Sequence, residues 1–198
     1  MSENLKDFVA VGGEHGRIDR TETGAILYAN AGTDWFFHPA GSSRQNDVPA
    51  LCLETFAPVV QLVARVAVDF GSTFDAGALF VRTAADQWAK IAYERNSQAI
   101  PTIVSVVTRG TSDDSDGPLQ PVGPVWLRVA VDRATVALHY STDGKLWHFL
   151  RFFALDRDEG APVAIGLAAQ SPLGTGCCAK FVDVRLAYAA VADLRHGD

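Results

Sequence analysis

An all-β sandwich is the fold this sequence predicts, and three observations predict it. Apolar and polar residues alternate with period two along most of the chain from residue 50 onward. Gly, Pro, Asp and Ser punctuate the apolar runs at short intervals, at 69–76, 111–124, 142–145 and 171–176. No stretch of helical periodicity exceeds a turn near 84–87.

The first thirty residues are the least periodic and are expected to frame the sheets or to supply an edge strand. A dense aromatic segment, Asp34-Trp35-Phe36-Phe37-His38-Pro39, follows in a loop-like context. Strands are expected at 51–56 and 60–70. In the second of these Val60, Leu62, Val66, Val68 and Phe70 share one face while Gln61, Arg65 and Asp69 take the other. Further strands are expected at 77–82, 87–94, 102–109, 125–131, 135–141, 146–153, 162–170 and 178–188, supported by their β-branched and aromatic content. The stretch 111–124 reads as a loop. Asp143-Gly144 between two strands is a hairpin signal. Trp126 and Trp147, beside apolar neighbours, read as core.

The chain has 198 residues, a length at which folding buries roughly 70% of the extended-chain surface, so a core forms without metal or disulfide staples. One domain spanning 1–198 is expected, since no linker, repeat or low-complexity segment interrupts the pattern. Seventeen basic against twenty-three acidic residues give a net charge of −6, which argues against nucleic acid and anionic membranes as partners. The start lacks a basic segment followed by a long apolar stretch, so a cytoplasmic location is expected. The cysteines, Cys52, Cys177 and Cys178, are odd in number and suit free thiols better than a disulfide framework.

Several ordered patches carry a resemblance: Thr33-Asp-Trp-Phe36, 75–82, 88–94, 105–113, Trp126-Leu-Arg-Val129, 141–147 and 166–176. Over residues 30–188 they resemble the family of concanavalin A-like lectin/glucanase sandwich proteins that includes the regulation-of-enolase protein. That resemblance implies a two-sheet antiparallel jelly roll with a convex and a concave face. It implies no reaction and carries over no catalytic residues. Some relatives sit among sugar-degradation proteins, which makes carbohydrate the leading ligand class by association.

The residues point the same way. On strand 87–94, alternation puts Trp88, Lys90, Ala92 and Glu94 on one face and Ala89, Ile91 and Tyr93 on the core side. An indole, an ammonium and a carboxylate in a row suit a sugar, whose C–H faces stack on aromatic rings while charged groups bond its hydroxyls. Arg82 on the neighbouring strand and Arg109 are expected to join them. Trp35 and His38, in the aromatic segment, are expected to wall the site. The alternative is a cross-strand ion pair among Arg82, Lys90 and Glu94 beneath Trp88.

Asp113, Asp114 and Asp116 offer oxygen ligands, but no glutamate closes the loop at the spacing a calcium hand needs, and the same residues suit a turn. No metal site is assigned. His139 and His148 flank the Asp143-Gly144 turn without a third ligand, which makes a weak zinc site.

No nucleophile elbow, dinucleotide fingerprint or phosphate loop is present, and no cofactor is implied. Nor does a strand carry the paired carboxylates of a retaining glycosidase. Three functions follow: carbohydrate recognition on the concave sheet; a glycan-active hydrolase, lyase or isomerase using Glu94, with Lys90 or Arg82 tuning it; and a regulatory protein-interaction module. A buried Glu94 holding its proton favours the enzyme, and an exposed one paired to Lys90 favours the binder. A broad exposed apolar patch favours the regulatory module.

Overall fold

The computed structural model describes residues 5–197. Among them are sixteen strands and two short 3-10 turns, one before and one after the first strand: β1 Val9–Val11, β2 Gly16–Arg20, β3 Ala25–Asn30, β4 Trp35–Phe37, β5 Arg44–Asn46, β6 Ala50–Thr55, β7 Val59–Asp69, β8 Ala76–Ala84, β9 Gln87–Arg95, β10 Pro101–Arg109, β11 Thr111–Leu119, β12 Val125–Asp132, β13 Thr135–Ser141, β14 His148–Ala154, β15 Val163–Gln170 and β16 Gly176–Ala187. One seven-stranded antiparallel sheet runs β1-β6-β15-β8-β9-β10-β11, the other β14-β13-β12-β7-β16-β3-β2. The sheets stack as a sandwich. Leu79, Ile91, Tyr93, Ile103 and Leu167 from the first meet Leu62, Val66, Leu127, Leu138 and Phe181 from the second in one core.

The alternation read for 60–70 and 87–94 holds in space, because a strand packed on one face must send every second side chain inward. Ala89, Ile91 and Tyr93 enter the core, and Trp88, Lys90, Ala92 and Glu94 face away from it. The Asp143-Gly144 hairpin is present between β13 and β14. Gly144 takes φ +73, and the Asp143 carboxylate accepts from the amides of Lys145 and Leu146 at 2.8 and 2.9 Å.

Three expectations need correcting. Residues 111–119 are a strand, not a loop. Gly110, at φ +76, reverses the chain so that Thr111 pairs back onto Arg109. The strand lies at a sheet edge in solvent, where charged residues replace the apolar alternation that would have revealed it. The first thirty residues supply more than an edge: β1 borders the first sheet, while β2 and β3 extend the second. In β3 the buried positions are Ala25, Leu27 and Ala29, and two alanines mute the signal. Finally, Trp126 and Trp147 are half-buried on the outer face of the second sheet, where Arg185 lies over Trp126 at 5.2 Å and Arg128 over Trp147 at 4.3 Å.

Candidate binding site on the outer face of the first sheet

The outer face of the first sheet is crossed by a strap, the β4–β5 hairpin. It is tied at one end by a bridge from Thr33 to Ser171. In the middle Lys90 donates its ammonium to the Trp35 carbonyl at 2.7 Å. Towards the other end the Phe37 amide donates to Ser112 Oγ at 2.9 Å, and Arg44 to the Gly110 carbonyl at 2.8 Å. Trp35 and Phe37 then pack onto the sheet against Phe80 and Trp88, with ring centroids 4.8–5.6 Å apart. A Trp and two Phe in succession thus fold as a strap because alternate members, Trp35 and Phe37, find an apolar sheet face beneath them.

Beside the strap lies a cavity of about 170 Å³ lined by Asp34, Phe36, Phe74, Lys90, Glu94, Asp114 and Gln170. Ala76, Ala78 and Ala92 cluster on the same outward face of β8 and β9, and such short side chains leave room above a sheet. Lys90 is 2% exposed and also donates to Gln170 Oε1 at 2.6 Å. Burial pulls its ammonium below the usual lysine range, against the opposing pull of Asp34, Glu94 and Asp114. Glu94 is 7% exposed and has no hydrogen-bond or ion-pair partner among the described residues. Burial pushes its carboxyl up to about 8, with Lys90 the main opposing influence. The Asp34 carboxyl is raised as well, chiefly by burial.

Phe74 occupies φ +67, an unusual conformation for a bulky side chain. Its neighbour Asp75, fully buried, holds that loop: one carboxylate oxygen accepts from the amides of Gly71 and Ser72 at 2.9 and 2.7 Å, the other from Ser171 Oγ at 2.6 Å. Gln170 also donates to the Phe74 carbonyl at 3.3 Å. The loop is therefore fixed from beneath while the ring lines the cavity.

Of the seven residues expected to bind a ligand, Arg82, Trp88, Lys90, Glu94, Arg109, Trp35 and His38, two line this cavity, Lys90 and Glu94. Trp35 contributes its carbonyl through Lys90. Trp88 faces the expected side but is 0% exposed beneath Trp35 and Phe37, so it presents no ring to a sugar. Arg82 belongs to a separate cavity on the far side of Trp35, with His15, Asn46 and Cys52. Arg109 is spent on the Ala154 carbonyl of the second sheet. His38 is exposed at the strap's turn, where its Nδ1 accepts from the Ala40 amide at 3.1 Å. The ion pair among Arg82, Lys90 and Glu94 does not form, because Lys90 turns to Trp35 and Gln170.

Asp34, Phe36, Phe74, Asp114 and Gln170 went unread as a group. Asp114 sat in the stretch read as a loop; as β11 it pairs with Val106, itself opposite Lys90, which brings it over the cavity. The three aspartates of that strand diverge. Asp113 pairs with Arg151 at 3.0 Å and Asp116 accepts from Asn96 at 3.1 Å. Among the described residues no three His, Cys, Asp or Glu side chains gather as a metal cluster. His139 is buried opposite Phe149, and His148 stacks on Tyr140 at 5.0 Å, so the two imidazoles take opposite faces. Cys177 is buried with its thiol pushed up to about 12 by that burial, which leaves it unreactive.

Residues 16–188 match a family model described as a protein of unknown function, DUF1349. No curated protein matches the chain. Among solved structures, a functionally unknown protein from Saccharomyces cerevisiae superposes with a TM-score of 0.84 at 22% identity, over 93% of this chain and 98% of that one. The GH43 protein BlXynB from Bacillus licheniformis gives 0.66 at 16% identity, over 83% of this chain but 33% of its own. The exoplasmic/lumenal domain of VIP36, solved with Ca2+ and Man3GlcNAc, gives 0.55 at 10% identity, over 96% and 87%. These likenesses show a jelly-roll sandwich. The chain spans about a third of the BlXynB protein.

Proposed function

The chain belongs to the DUF1349 family of unknown function, and within that family we propose that it binds a small saccharide in the cavity beside the β4–β5 strap. The observation that carries this reading is Glu94: a carboxyl 7% exposed, lining a cavity, with no hydrogen-bond partner among the described residues. A carboxyl that faces a cavity and that no protein group satisfies is available to bond a ligand's hydroxyl. The other lining groups suit hydroxyls and ring C–H faces: carboxylates of Asp34 and Asp114, the Gln170 amide, and the rings of Phe36 and Phe74. At about 170 Å³ the space is below the roughly 300–1,000 Å³ of clefts for drug-sized ligands, which points to a single sugar ring. The named relatives give the probes: BlXynB is a GH43 protein and VIP36 was solved with a mannose-containing glycan.

Saturation-transfer NMR with xylose, arabinose, mannose, glucose and glucosamine tests the reading. Saturation of at least one ring, lost in Glu94→Gln, is expected; silence from all five overturns it.

A second reading, proton transfer on a bound sugar, is favoured by the Glu94 carboxyl. At about 8 it retains its proton at neutral pH and acts as an acid with Asp34 and Asp114 in the same cavity. Incubating bound sugars in D2O and following deuterium uptake or product by mass spectrometry separates it from binding alone. The regulatory reading draws less support, because charged and amide side chains, Asp34, Lys90, Glu94, Asp114 and Gln170, line the cavity beside its two phenylalanines.

A further inference from the structure

We infer that the strap cavity selects sugars carrying an amine, binding the ammonium of an amino sugar between its carboxyl groups and its phenylalanine walls; this rests on the saccharide reading above. Three carboxyl groups, Asp34, Glu94 and Asp114, face a single ammonium, that of Lys90. Lys90 does not neutralise them by contact, since its hydrogen bonds go to the Trp35 carbonyl and the Gln170 amide. The cavity therefore carries an excess of acidic groups and, in Glu94, an unpartnered carboxyl directed into it. Phe36 and Phe74 line the same space, and aromatic rings attract ammonium groups through their negative faces. Acidic groups with aromatic walls are a cation's environment. A neutral polyol uses the hydrogen bonds and leaves the charge excess unanswered.

The charged groups acting on Glu94 are Lys90 on its own strand, Asp34 from the strap, and Asp114 and Asp116 from β11. Its ladder neighbours Ala76 on β8 and Thr102 on β10 carry no charge. An ammonium brought beside it favours the ionised carboxyl, so binding an amino sugar at neutral pH releases a proton from Glu94. A neutral sugar releases none.

Calorimetric titration at pH 7 with glucosamine, glucose, N-acetylglucosamine and putrescine tests this, repeated in two buffers of different ionisation enthalpy to count protons. Glucosamine is expected to bind at least tenfold more tightly than glucose or N-acetylglucosamine, and with proton release. Glu94→Gln is expected to abolish both the preference and the release, with Asp114→Asn, on an exposed edge strand, reducing the preference. Equal affinity for glucosamine and glucose overturns the amine selection and leaves the saccharide reading standing. Binding of putrescine without either sugar, or no binding by any probe, also overturns the amine selection, and silence of all five sugars in the NMR screen overturns the saccharide reading with it.

Discussion

The Lys90 ammonium reaches out of strand β9 to the backbone carbonyl of Trp35, 2.7 Å away and fifty-five residues earlier in the chain. This bond fastens the strap to the sheet at the point where its aromatic residues cover Trp88 and Phe80. It also decides what lies on either side. The carboxyl-rich cavity opens beside Asp34 and Phe36, and the cavity holding Arg82 opens on the far side of Trp35.

Replacing Lys90 with Met keeps the length of the stem and removes the donor, leaving the Trp35 carbonyl and the Gln170 amide oxygen without it. The strap is expected to open more readily, by about 1–3 kcal/mol for the unpaired groups. Amide exchange measures this directly. Residues 34–47 should lose protection while the central strand β7 keeps its own; unchanged exchange in the strap would show that the aromatic packing alone holds it.

Glu94 makes stability fall with rising pH. Its carboxyl titrates at about 8 in the folded protein against an ordinary 4.5, so between those values the folded state holds a proton that the unfolded state has lost. The stability this represents is fully present below pH 4.5 and is lost as pH rises towards 8, with a slope of at most about 1.4 kcal/mol per pH unit. Glu94→Gln carries no such proton. Urea midpoints at pH 5, 6, 7 and 8 should decline for the wild type relative to the variant, and parallel profiles would contradict the burial of this carboxyl.

His139 works with the opposite sign. Its Nδ1 accepts from Arg128 Nε at 3.3 Å and its Nε2 donates to the Leu194 carbonyl at 2.8 Å, an arrangement that requires the neutral ring. Burial and the Arg128 charge bring it down to about 4 from an ordinary 6.5. Its contribution is therefore present above pH 6.5 and is lost as pH falls towards 4. His139→Gln should remove that acid-side loss between pH 6.5 and 4, read from thermal midpoints at constant ionic strength.

The sandwich was legible because strands packed on one face advertise themselves: β7 alternates buried with more exposed positions, and in β9 Ala89, Ile91 and Tyr93 enter the core although its other face is buried too. The face of Lys90 and Glu94 followed from the same rule. What alternation does not encode is what lies over a face. Trp88 reads as an exposed plate until the strap, from a segment fifty residues earlier, is placed on top of it. Edge strands escape for a related reason. β11 needs no apolar side, so Asp114 looked like part of a turn. Gln170 and Phe74 enter the cavity through pairings between distant segments, for which a single sequence carries no signal.

Phe74 gives the last test, because its backbone and its side chain make opposing demands. At φ +67 a β-carbon is unfavourable by roughly 1–2 kcal/mol, a cost that glycine avoids. The ring is half-buried and lines the cavity, so any truncation removes apolar contact and opens one wall. Phe74→Ala loses the wall and retains the strain; Phe74→Gly loses the wall and relieves it. Glycine usually destabilises relative to alanine through the entropy of the unfolded chain, by about 0.4–1 kcal/mol. Here the order should invert or close, with Phe74→Gly at least as stable as Phe74→Ala in urea unfolding, while both lose sugar affinity. Should Phe74→Gly prove the less stable by the ordinary margin, Asp75 and Ser171 would not be holding the loop in this conformation in solution.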